Sequence, residues 1–407
     1  MTEIDIAIIG AGAAGIGAAR RLHGRGRSVL LVEASDRIGG RAWTLGVQGM
    51  PLDLGCGWLH SAERNPWVGI AEHAGFAIDR STSAWGEQLR DVGFPPAEQE
   101  AAGAAFATWD ARLRDDPPAS DRAADALPRD GRWNAYVEAL SGYINGTGLA
   151  DLSVADYRAY DDAASDTNWR VPEGYGTLVA SQLPPIPVRT STPVRRIRDD
   201  GDRLVLETPR GAVRARVAIV TVATPVLANG GLRLPARYDD RCHAAARLPL
   251  GLANKLFLRL ADPEAVPPES HLLGNPHSAG TGSYYLRPFG RPVVEGFFGG
   301  SGAADLESAG ADASAAFARE ELGALLGSDF ARGLRLVAAS AWGQADGFGG
   351  SYSHALPGHA DARTTLAGPD DRLLFAGEAC SRTDFSTAHG ALATGEAAAD
   401  AALALLR

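Results

Sequence analysis

Ile4-Asp5-Ile6-Ala7-Ile8-Ile9-Gly10-Ala11-Gly12-Ala13-Ala14-Gly15 is the stretch on which the reading of this 407-residue chain turns. The β-branched run from Ile4 to Ile9, closed by glycine, predicts a buried parallel strand. Gly10 permits a tight turn, Gly12 lets a pyrophosphate approach the backbone, and Gly15 lets the next helix pack closely on the strand. That helix is expected to run through Ala18, Ala19 and Leu22 and to end near Gly24 to Gly26. Its first turn would offer free N–H groups and the positive end of its dipole to phosphate. A second strand, Ser28 to Val32, ends at Glu33, whose carboxylate can accept both hydroxyls of an adenosine ribose and disfavours a 2′-phosphate. Glycines at this spacing are weak evidence alone. Strand, turn, helix, strand and terminal acid in order predict an ADP-containing dinucleotide.

The length fits two closely joined domains with room to bury a cofactor. With 39 basic against 49 acidic residues the formal charge is -10, which lends no support to nucleic-acid or anionic-membrane binding. The three cysteines, Cys56, Cys242 and Cys380, form no C-x-x-C pair and predict free thiols rather than a disulfide framework or zinc site. None of the histidines pairs with Cys or Glu at metal-ligand spacing, so no metal is expected. The chain goes straight into a strand, without a leader pattern or an uninterrupted transmembrane length, and the expectation is a cytoplasmic protein, monomeric or homodimeric.

Beyond Glu33 come Asp36-Arg37-Ile38-Gly39-Gly40-Arg41, then Asp53-Leu54-Gly55-Cys56-Gly57-Trp58-Leu59-His60 and Asn65-Pro66. Further blocks are Pro172 to Leu178, Thr192-Pro193-Val194, Leu374-Phe375-Ala376-Gly377-Glu378 and Thr387-Ala388-His389-Gly390-Ala391. These blocks, in this order along the whole chain, resemble the flavin-containing amine oxidase family, which includes monoamine, polyamine and L-amino-acid oxidases. The resemblance implies FAD, with cofactor contacts at Gly10, Gly12, Ala14, Gly15, Glu33, Ala34, Gly40, Arg41, Gly55, Gly57, Trp58, Val194, Gly377, Glu378, Thr387 and Ala388. A planar guanidinium at Arg41 suits phosphate oxygens. Glu378, if buried, needs a partner, which a ribityl hydroxyl would supply. The Ala-rich stretch from Ala388 to Leu406, after plausible caps at Ser386 and Thr387, predicts a helix whose N-terminus would point at the flavin pyrimidine edge.

Four residues are candidates for the chemistry. Lys255, in Asn254 to Leu260, alternates with Leu256, Leu258 and Leu260. From the residues alone it is a solvated lysine on an edge strand. The resemblance makes it instead the lysine that holds a water against flavin N5. Trp342 and Tyr352 fall in the family's W-x-x-D and G-(S/C)-Y block, and core packing is the plain alternative for Trp342. His60 is a candidate substrate contact, or a hydrogen-bonded structural histidine. Ser351 replaces the cysteine that tethers flavin in monoamine oxidases, so the FAD is expected to be noncovalent. Thr387 stands where those enzymes place a second tyrosine, which puts a two-tyrosine cage in doubt.

The expected fold is α/β, α+β overall: a Rossmann-like FAD domain from residues 1–80, 172–235 and 340–407, and a mixed-sheet and helical substrate domain from 81–171 and 236–339. The polar segment Asp115 to Arg129 reads as a loop or mobile lid. The expected activity is hydride removal from the carbon beside an amine nitrogen, yielding an imine, with oxygen reduced to peroxide. The alternatives are desaturation, amino-acid oxidation and a non-redox flavin-dependent isomerase. An amino acid's carboxylate would call for an arginine in the pocket, for which Arg158, Arg170 and Arg287 are the candidates.

Overall fold

The computed structural model describes residues 2–368 and 372–407. Thr2–Ile9 forms the first strand, Ala13–Leu22 the helix and Val29–Val32 the second strand, which pairs in parallel with the first from Ile6 opposite Val29 to Ile9 opposite Val32. Successive strand residues face opposite sides. Ile6, Ile8 and Leu31 therefore enter one core layer, and Ala7, Ile9, Leu30 and Val32 enter another. Gly211–Val220 pairs in parallel with Thr2–Ile9. Its other edge takes Arg203–Thr208 antiparallel at one end and Leu373–Phe375 parallel at the other. Val188–Arg189 and Arg196–Asp200 complete this seven-stranded sheet.

The last helix, Ala388–Leu405, packs along Ala13–Leu22. A Cβ on Gly17 would come within 2.8 Å of the Leu392 carbonyl oxygen, and one on Gly395 within 2.0 Å of that of Ala14. These two glycines set the distance between the helices, since interaxial separation follows the side chains at the crossing. Gly15 lies behind the turn: a Cβ there would sit 1.9 Å from the Gly10 carbonyl oxygen.

A second, five-stranded sheet has the order Ser270–Leu273, Ser283–Leu286, Val293–Gly299, Ala253–Leu260, Leu334–Ala339 and is antiparallel throughout. Mixed pairing thus belongs to the first sheet. Ala253–Leu260 is paired on both sides and buried except at Arg259, so the edge-strand reading of Lys255 is corrected. Leu256, Leu258 and Leu260 pack on helix Ala311–Leu326 through Ala315, Ala318 and Leu322. Phe257, on the Lys255 side, meets Leu52 and Leu54.

The segment expected as a loop or lid, Asp115 to Arg129, contains the short helical turn Ala123–Ala126. Trp109 Nε1 donates to the Ala123 carbonyl at 3.0 Å and the Ala123 amide to that of Leu152 at 3.0 Å. No residue of the segment lines the large cavity described below, which removes the basis for a lid.

Candidate active site

One cavity of about 1120 Å³ runs from the glycine turn to the second sheet. It exceeds the roughly 300–1,000 Å³ usual for a small-molecule site, leaving room for a dinucleotide and a substrate together. Every residue expected to touch the cofactor lines it except Gly15. That glycine is corrected from a contact to a packing position, because its missing Cβ makes room for the Gly10 carbonyl.

At the dinucleotide end Gly10 has φ +108°, in the region that favours glycine, and Gly12 caps the helix without a side chain. The helix start is therefore open to an anion in the cavity. Gly40 abuts Gly12, where a Cβ would come within 3.0 Å of the Gly12 Cα. Glu33 is more committed than expected. Its carboxylate accepts from the Ala11 amide at 2.6 Å and from the Ser35 amide and hydroxyl, both at 2.8 Å. About one of its four acceptor positions is left, in place of two for the ribose diol.

Arg41 and Glu378 form an ion pair at 2.9 Å. Arg41 also donates to the Ser351 carbonyl, while Glu378 accepts from the Ser353 hydroxyl at 2.6 Å and the Ser386 amide at 2.9 Å. Glu378 therefore has protein partners of its own, and it stays on the cavity wall. Burial pushes the Glu378 carboxyl up, but Arg41, Ser353, Arg363 and the Ser386 N–H outweigh it and leave it below the usual carboxylate range. Thr387 caps the last helix, accepting from the Gly390 amide at 2.9 Å and donating to the Asp384 carbonyl at 2.6 Å. Thr387, Ala388 and Ala391 bring that N-terminus to the cavity wall.

Lys255 is 8% exposed and its ammonium lies 2.8 Å from Glu295, which sits on the same face of the neighbouring strand. Gly57 leaves space for it: a Cβ there would lie 2.8 Å from Lys255 Nζ and 3.4 Å from the Asp53 Cβ. Asp53 itself accepts from the Thr44 hydroxyl and the Tyr175 and Gly176 amides. Burial lowers the Lys255 pKa, but Glu295 and Asp53 reverse this and hold it above the usual lysine value. Glu295 was missed as a site residue, although an acid inside the apolar run Val293 to Phe298 was the available signal. Asp53 was read only as part of a motif.

Trp342 is 4% exposed and donates from Nε1 to the Leu54 carbonyl at 2.9 Å, edge-on to Trp43 and Phe348. The Tyr352 hydroxyl donates to the Tyr143 carbonyl at 2.6 Å, so the ring is a wall and its phenol is engaged. Asn168 Nδ2 donates to the Asp166 carbonyl, turning Oδ1 toward His60 at 2.6 Å. His60 Nδ1 then carries the hydrogen and Nε2 is an acceptor. Burial lowers the His60 pKa, favouring neutral imidazole. Cys56 lines the same wall, with its thiol pushed up to about 12 by burial, and is protonated.

Of the three arginines considered for a carboxylate, only Arg170 reaches the cavity. It is held by Asp79 at 2.5 Å and Glu269 at 2.6 Å, beneath the rings of Trp58, Tyr285 and Phe289. Arg158 pairs with Asp162, and Arg287 with Glu264. Trp85, which sequence reading did not select, lines the cavity and packs against Trp58 with ring centres 4.2 Å apart and planes tilted by 58°.

A glycine cradle at a helix start, joined to a chamber holding one buried ammonium, defines a dinucleotide-dependent oxidoreductase of the α/β class. The chain belongs to the flavin-containing amine oxidoreductase family, whose model matches residues 13–83 and 64–403, and it is an FAD-dependent amine oxidase. It is 29% identical to polyamine oxidase 3 of Oryza sativa subsp. japonica over 97% of this chain and 88% of that relative. Identity to polyamine oxidase 2 of Arabidopsis thaliana is 27%, over 97% and 87%. Among solved structures, putrescine oxidase bound to putrescine matches with a TM-score of 0.79 at 19% identity, over 99% of each chain. Cyclohexylamine oxidase from Brevibacterium oxydans IH-35A matches with a TM-score of 0.76 at 21% identity, over 99% of this chain and 100% of that one. These two likenesses concern the fold.

The residues present fit FAD. The uncapped helix start and the Gly12–Gly40 shelf suit a pyrophosphate, and the N-terminus of Ala388–Leu405 suits a group that gains negative charge.

Proposed function

We propose that this protein oxidises the carbon beside an amine nitrogen to an imine, which hydrolyses to an aldehyde or ketone, with molecular oxygen as acceptor and hydrogen peroxide as co-product. FAD, when bound, supplies a hydride acceptor at N5. The observation that carries the reading is Lys255, a buried ammonium paired with Glu295 and under the influence of the nearby Asp53 on the cavity wall. Such a charge favours negative charge developing beside it, and it can orient a water. Trp58, Trp85 and Tyr352 shape an aromatic chamber, and neutral His60 offers Nε2 as an acceptor.

Ser351 supports a noncovalent cofactor. It has no thiol, and its hydroxyl donates to the Ala253 carbonyl at 2.7 Å and accepts from the Ala253 amide at 2.9 Å. The charge-neutralised Arg170 disfavours amino acids as substrates. Anaerobic mixing of the holoenzyme with a broad amine panel is expected to bleach the flavin absorbance, and admitting air to restore it with peroxide release. A panel that produced neither bleaching nor peroxide would refute the proposal.

A further inference from the structure

We infer that the preferred substrate is a monoamine whose body is an uncharged apolar group, and not a di- or polyamine; this rests on the amine-oxidase reading above. The cavity extends past Lys255 into a lobe walled by Leu140, Tyr143 and Ile144 of helix Asn134–Asn145, with Tyr136, Leu273 and Phe297. Its connection to the chemistry is direct. Phe297 lies opposite Lys255 in the strand register and contacts Tyr143, whose carbonyl accepts the Tyr352 hydroxyl. A molecule with its nitrogen near Lys255 and Tyr352 therefore extends its other end into this lobe.

A second ammonium needs an unpaired carboxylate or an equivalent set of acceptors when it leaves water. Each acid on the cavity wall is accounted for. Glu33 and Glu378 belong to the cofactor end, Asp53 and Glu295 face Lys255, and Asp161 pairs with Arg114. Glu87, Asp166 and Asp346 are exposed to solvent. Arg170 is already neutralised by Asp79 and Glu269, while the cation Arg291 lines the same cavity and would repel a second positive charge. His271 adds no charge near neutral pH, because burial lowers its pKa to about 4.

An independent observation agrees. The large hydrophobic side chains exposed in the described structure are Trp85 at 39%, Ile144 at 44% and Leu405 at 44%, and both Trp85 and Ile144 line this cavity. Exposed apolar surface gathered at a cavity marks an apolar ligand.

The test compares hexylamine with 1,6-diaminohexane, which differ by a terminal ammonium, using purified holoenzyme and initial rates of peroxide formation. Hexylamine is expected to have a kcat/KM at least tenfold higher, with a rise of about fourfold per CH2 from propylamine to hexylamine. Ile144→Glu, at an exposed position, is expected to shrink that ratio at least fivefold while FAD content and Tm stay unchanged. Equal rates or a preference for the diamine would overturn the inference and leave amine oxidation standing. Oxidation of neither, nor of any other amine in the panel, would overturn the functional reading with it.

Discussion

An ammonium that is 8% exposed has lost most of its hydration, and burial alone would draw its proton off more easily. At Lys255 the pair with Glu295 at 2.8 Å and the nearby Asp53 carboxylate outweigh that loss. Replacing Glu295 by Gln keeps a hydrogen-bond acceptor and removes the charge. The Lys255 pKa then falls, and an activity that requires the ammonium loses its alkaline limb at lower pH than the wild type. A pH profile of flavin reoxidation checks this, and a profile that did not move would detach Glu295 from Lys255. Lys255→Met is expected to retain FAD and slow reoxidation at least tenfold in stopped flow. Alternation in Asn254 to Leu260 located the lysine's face correctly. It carried no information on the two flanking strands, and these turn a solvated edge position into a buried one. Glu33 shows the same limit. Its place at the strand end was legible, but its bonds to Ala11 and Ser35 arise from how the turn closes.

Elements built from local signals were the most readable. The run Ile4 to Ile9, the glycine turn and the Thr387 cap each act over a few residues, and the corresponding strand and helices form within two residues of expectation at their signalled ends. The approach of the two helices was not readable, because Gly17 and Gly395 matter only once Ala13–Leu22 and Ala388–Leu405 lie side by side. Gly395→Val puts side-chain atoms where the Ala14 backbone stands, and overpacking of this kind costs about 1–3 kcal/mol or more. The expected result is a lower Tm and a weaker hold on FAD, measured as flavin released on gel filtration. At Asp115 to Arg129 a polar, proline-containing composition suggested a loop or a mobile lid, and the segment is mostly loop around one short helical turn. Trp109 and Leu152 tie the turn to the helical core.

Across the whole molecule, His271 and His354 couple stability to pH, since burial lowers both to about 4. An unfolded histidine takes up its proton near pH 6.5, so the unfolded state binds more protons than the folded one between these values. The stability from keeping them neutral is complete above pH 6.5 and is lost as pH falls toward 4, on the order of 3 kcal/mol for each. Tm is expected to drop over that interval, and His271→Asn to flatten the drop in differential scanning calorimetry. A final consequence concerns the order of synthesis. The first sheet joins Thr2–Ile9 to Leu373–Phe375 through Gly211–Val220, and the first helix leans on Ala388–Leu405. A nascent chain paused anywhere before Leu373 lacks both late pieces of the cradle. A ribosome-stalled fragment ending at Leu366 is therefore expected to bind no flavin, which fluorescence of the isolated complexes checks.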